Sequence, residues 1–144
     1  MINDMYNWGS VSGSRSTIVV VEDSPTQALN LQSILGPLGV NVIVAVDGIQ
    51  GLKVVQQVLP DAVVLDVELP GMNGFDVCKR LKESKDTSNI PVIMLTRHDE
   101  EEAVLSGLQS GVIEYIPKDA FGTAVLLETL RQMGLVPPAN TDQG

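Results

Sequence analysis

Asp66 stands where a carboxylate is costly. In VVLDVELPGMNGFDV (63–77) it follows Val63, Val64 and Leu65 and precedes Val67, and then comes a run built for turning, Leu69-Pro70-Gly71-Met72-Asn73-Gly74. An unpaired charge buried there costs several kcal/mol, so either Asp66 merely ends a strand or the fold keeps a charge for chemistry. Other apolar runs also end in groups able to do chemistry: Glu22 and Asp23 after Val21, Thr96 after Leu95, and Lys118 shortly after Ile116. Brought together, three carboxylates would repel unless cations join them. Lys118 supplies one positive charge and a divalent ion would supply the rest, with oxygen ligands favouring magnesium over zinc. A carboxylate nucleophile, a hydroxyl, an ammonium and a metal are what a transferring phosphoryl group needs, and Asp66 is then placed to be phosphorylated. Each member also has an ordinary reading. Glu22 and Asp23 suit the positive end of a helix dipole, Asp66 a strand terminator, Thr96 a cap and Lys118 a solvated cation.

Convergence depends on the elements that carry these residues. Apolar, β-branched runs at Thr17–Val21, Val40–Val46, Ala62–Val67, Val92–Leu95 and Val112–Ile116 alternate with helical patterns near 25–35, 48–59, 74–85, 99–110 and 120–133. Runs that are apolar at consecutive positions predict parallel strands covered on both faces. Leu31, Ile34, Leu35 and Leu38 make an apolar stripe on the first helix, as do Leu126, Leu127, Leu130 and Met133 on the last. Five such units predict an α/β fold: a single doubly wound (βα)5 domain with right-handed crossovers and a five-stranded parallel sheet of flavodoxin-like order 2-1-3-4-5. Ligands of such sheets sit beyond the carboxyl ends of the strands, which are the loops after Val21, Val67, Leu95 and Ile116. Ser24 is expected to cap the first helix, with Pro25 at its first position and Gln27 completing a capping box.

Composition narrows the function classes. A chain of 144 residues fits one domain able to bury a core. A net charge of −9 argues against direct binding to nucleic acid or an anionic membrane. Cys78 has no second cysteine to pair with, and no cysteine–histidine cluster suggests zinc. With no basic-then-apolar leader and no apolar run of spanning length, a cytoplasmic protein without membrane insertion is expected. Residues 1–15 read as a flexible arm, in which Tyr6 and Trp8 stand out, 16–134 as the folded domain and 135–144 as a tail.

The segments VVVEDSP, VVLDVELPGMNGFDVCKRLK, IPVIMLT and EYIPKDAF, in this order, resemble the response-regulator receiver family of two-component signalling, the group that includes the chemotaxis regulator, over roughly residues 16–134. The resemblance implies that Glu22 and Asp23 are the acidic pair and Asp66 the phospho-acceptor. It implies Mg2+, with Mn2+ as the alternative ion, bound through the Asp23 and Asp66 carboxylates and the Glu68 backbone carbonyl, while Glu22 acts mostly through a metal-bound water. Thr96 resembles the switch hydroxyl, Lys118 the lysine that contacts the phosphoryl group, and Tyr115 the aromatic that turns inward on activation. The implied protein is a stand-alone response regulator, phosphorylated by a histidine kinase or histidine phosphotransfer protein. It would be no enzyme beyond its own phosphorylation and dephosphorylation, and would signal to a downstream protein through its fourth helix, fifth strand and fifth helix. Three departures from the family pattern concern the site. Pro117-Lys118-Asp119 replaces the usual Lys-Pro order, so a cis bond after the lysine is not implied. Arg97 stands where a small residue is usual. Glu68 and His98 flank the site at positions where the family tunes phosphoryl lifetime, although His98 reads equally well as an exposed loop histidine.

Two rivals remain. Asp66-Val67-Glu68 superficially resembles the nucleophile motif of haloacid dehalogenase phosphatases, but Glu68 and Pro70 stand where that class carries Asp and Thr or Val, and there is no room for a cap domain. A receiver-like adaptor acting without phosphorylation is the other, and the complete set of site residues argues against it. Nucleotide binding lacks the glycine-rich loop it would need after the first strand.

Overall fold

The computed structural model describes residues 15–97, 105, 109, 111–119 and 121–138. Five strands, β1 (Thr17–Val21), β2 (Asn41–Ala45), β3 (Ala62–Leu65), β4 (Val92–Thr96) and β5 (Glu114–Pro117), alternate with helices α1 (Pro25–Leu35), α2 (Gly48–Val58), α3 (Gly74–Glu83) and α4 (Gly122–Gln132). All neighbouring strands are parallel, in the order β2-β1-β3-β4-β5, the flavodoxin-like arrangement that the pattern of apolar runs predicts. The helix expected near 99–110 and His98 fall outside the described residues, apart from Leu105 and Gln109, which are helical. The arm and the end of the tail fall outside them too.

Side chains alternate across the sheet, which is why the central strands are apolar at every position. Val19, Val21, Val63, Leu65 and Met94 point to one face, where Val55 of α2 and Val77 and Leu81 of α3 cover them. Ile18, Val20, Val64, Ile93 and Leu95 point to the other, against Leu31 and Leu35 of α1 and Leu126 and Leu130 of α4. The two apolar stripes expected on α1 and α4 are thus the faces that close this second layer, although Ile34 and Leu38 are only partly buried.

Strand ends differ from expectation for hydrogen-bonding reasons. β3 stops at Leu65 rather than Val67 because the Val67 carbonyl accepts the Gly74 N–H at 2.8 Å, so the start of α3 takes the place of a neighbouring strand. β2 stops at Ala45 because the Val46 N–H donates to Gln50 Oε1 at 2.8 Å. β5 begins at Glu114 rather than Val112, where its ladder with β4 starts, and it takes in Pro117, a residue tolerated at the end of an edge strand. Caps set the helix starts beside the site: Asp47 Oδ1 accepts the Gln50 N–H at 2.7 Å, and Asn73 Oδ1 accepts the Asp76 N–H at 3.0 Å. Gly48 lets α2 approach the loop after β3, since a Cβ there would stand 2.3 Å from the Met72 carbonyl oxygen. No helix among the described residues is long and apolar enough to cross a membrane.

Candidate functional site

The loops at the carboxyl ends of β1, β3, β4 and β5 meet around one ammonium group. Glu22 is anchored first by its backbone, whose N–H donates to the Ala45 carbonyl at 2.9 Å, and it is 4% exposed. Its two carboxylate oxygens have separate partners: Oε2 accepts the Ser24 N–H at 3.2 Å, and Oε1 accepts Lys118 Nζ at 2.8 Å. Asp66, one residue beyond β3, is 8% exposed. Its Oδ1 accepts the Glu68 N–H at 3.2 Å, and its Oδ2 accepts Lys118 Nζ at 3.0 Å. A charge at the end of a buried strand is therefore paired and hydrogen-bonded, which is the condition for keeping it there.

Lys118 is delivered by the end of β5. Its backbone N–H donates to the Thr96 carbonyl at 2.6 Å, and Thr96 itself is fully buried in register with Pro117. The ammonium meets Glu22, Asp66 and Gln27, whose side-chain Oε1 accepts from Nζ. Gln27 escapes sequence reasoning as a site residue. Ser24 does cap α1, its Oγ accepting the Gln27 N–H at 3.3 Å, but Gln27 does not close the box. Glu22 already takes the Ser24 N–H, so the glutamine amide turns to the lysine. A glutamine at that helix position fits a cap equally well, and the residue type carries no signal that separates the two roles.

Carboxylate oxygens of Glu22, Asp23 and Asp66 lie within 4.8 Å of one another, a group that could hold a metal ion. Asp23 is exposed and, among the described residues, makes no hydrogen bond or ion pair. Three carboxylates against one ammonium leave an excess of negative charge that a divalent ion would balance. The donors are all oxygen, with neither sulfur nor imidazole, which suits a hard cation of the magnesium type. These residues, with Ser24, Gln27, Glu68, Arg97 and Lys118, line a cavity of about 270 Å3. Glu68 and Arg97 are its exposed members apart from Asp23. Tyr115 is partly buried and packs against the core layer that α2 and α3 cover. No peptide bond among the described residues is cis, including the one after Lys118.

The family model of the response regulator receiver domain matches residues 18–131. The chain is 41% identical over 104 residues to the DNA-binding response regulator MtrA of Mycolicibacterium smegmatis, an alignment covering 72% of this chain and 44% of MtrA, so it spans under half of that relative's length. It is 37% identical over 101 residues to PilH of Pseudomonas aeruginosa, covering 70% of this chain and 84% of PilH. Among solved structures, the chemotaxis protein CheY4 of Vibrio cholerae superposes with a TM-score of 0.76 at 27% identity, over 83% of this chain and 98% of CheY4. The BeF3-activated receiver domain of Klebsiella pneumoniae RstA gives a TM-score of 0.75 at 32% identity, over 81% and 97% of the two chains. With its strand order, its strand-end acids and a match across nearly all of the folded residues, the chain belongs to the response regulator receiver domain family.

Proposed function

We propose that Asp66 accepts a phosphoryl group from a phosphohistidine of a histidine kinase or phosphotransfer protein, in a magnesium-dependent reaction, and that the phosphorylated domain signals through altered protein contacts. The observation that carries this reading is the Lys118 ammonium, held 3.0 Å from Asp66 Oδ2 and 2.8 Å from Glu22 Oε1 inside an acidic cavity. A carboxylate oxygen of Asp66 attacks phosphorus in line. The P–N bond breaks, its electron pair stays on the departing imidazole, and an acyl phosphate remains on Asp66. Lys118 can exchange its contact with Asp66 for one with a phosphoryl oxygen, and the Thr96 hydroxyl serves a second oxygen. The Asp23 and Asp66 carboxylates and the Glu68 backbone carbonyl would hold Mg2+, or Mn2+ in its place, with Glu22 acting through a bound water. When bound, the ion balances the excess carboxylate charge and the charge that develops on the phosphoryl oxygens.

On this reading the chain is no enzyme toward other substrates. It promotes only its own phosphorylation and dephosphorylation. Its output runs through Thr96 and Tyr115 to β5, α4 and the segment preceding β5. Incubation with candidate histidine kinases and radiolabelled ATP, or with phosphoramidate as a small donor, should give base-labile label that requires Mg2+ and is absent from Asp66→Asn. Label at wild-type levels in that variant would overturn the assignment.

A further inference from the structure

An ammonium has three N–H donors, and Lys118 has three side-chain acceptors: two carboxylates and one neutral amide, that of Gln27. The residue is anchored from below, because the Gln27 backbone N–H is held by Ser24 Oγ in the first turn of α1. It is also free of the capping role, because Glu22 Oε2 occupies the Ser24 N–H. On the other side of Lys118 lies a second cavity of about 270 Å3, between α1 and the start of α4. Glu22, Gln27, Arg97 and Lys118 line both cavities, while Asn30, Asp119 and Thr123 line only the second. Lys118 therefore stands in a wall between two spaces, and the second offers as a competing attraction the exposed carboxylate of Asp119, whose Oδ1 also accepts the Phe121 N–H at 2.9 Å.

We infer that Gln27 is a positioning residue that keeps the Lys118 ammonium on the Asp66 side of this wall while its third donor passes from Asp66 to the phosphoryl group. The inference rests on the proposed phosphorylation of Asp66 for its kinetic consequence, but not for its geometry. A neutral acceptor suits the task. It holds the ammonium without cancelling its charge, whereas a third carboxylate would weaken the attraction left for phosphoryl oxygens. With Glu22 and Gln27 retained, two of the three bonds survive the handover. With Gln27 removed only Glu22 remains, and one bond leaves the flexible lysine chain free to swing toward Asp119.

Gln27→Met keeps side-chain length and removes the acceptor, and Gln27→Glu restores an acceptor oxygen. Two readouts separate the inference from the functional reading: the 15Nζ–1H signal of Lys118 and the maximal rate of labelling by phosphoramidate at saturating Mg2+. The wild-type ammonium signal should be protected from solvent exchange, lost in Gln27→Met and recovered in Gln27→Glu. Labelling of Gln27→Met should slow about tenfold, the effect of one charge-assisted hydrogen bond, with Mg2+ affinity unchanged. A protected Lys118 signal and a wild-type rate in Gln27→Met would overturn the inference, as would a rate loss matched by an equal loss of Mg2+ affinity. Should the methionine variant not fold, Gln27→Ala gives the same comparison. Wild-type protein that takes no label would overturn the phosphorylation reading alone, and the ammonium signal would still decide the role of Gln27.

Discussion

Gly74 lies so close to the backbone of Asp66 that a Cβ on it would stand 2.2 Å from the Asp66 carbonyl oxygen and 2.9 Å from the carbonyl carbon. The first turn of α3 thus braces the proposed phospho-acceptor, and neither side of the contact is a flexible side chain that could yield. Gly74→Ala should cost about 1–3 kcal/mol by overpacking, read as a lower urea midpoint, and should weaken Mg2+ binding because Asp66 is displaced. Gly36→Ala is the control. Nothing but its own chain neighbours lies near its Cβ position, so any loss of stability there comes from a right-handed alanine before Pro37 and should leave Mg2+ binding unchanged.

Lys118 neutralises part of a buried acidic cluster, its side chain only 15% exposed. Lys118→Met leaves Glu22 and Asp66 without their cation and should destabilise the protein by about 3 kcal/mol in chelator. The same loss makes the cluster more negative. Mg2+ should therefore raise the melting temperature of the variant more than that of the wild type. An equal Mg2+-induced shift in both proteins would show that Lys118 and the metal do not share one electrostatic site.

Arg97 is exposed and lines both cavities, next in sequence to Thr96. A guanidinium there can obstruct small donors and hydrolytic water, or attract an anionic donor. Obstruction predicts that Arg97→Ala loads faster from acetyl phosphate and also loses its phosphoryl group faster. Slower loading in the variant would instead identify electrostatic attraction as the stronger effect, and unchanged rates would leave the side chain a solvated one.

Thr96 is fully buried at the end of β4 and Tyr115 is partly buried in β5. A phosphoryl oxygen that recruits the Thr96 hydroxyl should draw its loop inward and alter the packing of Tyr115. A differential interaction of a few kcal/mol suffices to shift such an equilibrium. Beryllofluoride with Mg2+ should move backbone chemical shifts at Thr96, Tyr115, Lys118 and along α4. Changes confined to α1 and α2 would contradict the route, and Thr96→Val should suppress the shifts at Tyr115 while leaving Mg2+ binding intact.

The sequence by itself determined the layered sheet, because burial on both faces demands unbroken apolar runs such as Ala62–Leu65 and Val92–Leu95. It also determined at which edge the candidate site residues gather: a strand-end aspartate after VVL is costly unless partnered, and the alternation of strands and helices sends Glu22, Asp66, Thr96 and Lys118 to the same side. Only the tertiary structure decided how those groups share their bonds. Lys118 meets residues 96, 91 and 52 positions away, and no local pattern records that Glu22 would split its oxygens between Ser24 and Lys118. Gln27 shows the reason most plainly. Its position in the first turn of α1 suits a capping box, and what turns its amide to Lys118 is a competitor for the Ser24 N–H together with an ammonium brought in from the far end of the chain. Helix and strand patterns report on neighbours a few residues apart, whereas the choice among hydrogen-bond partners in a buried cluster depends on every group that folding brings within reach.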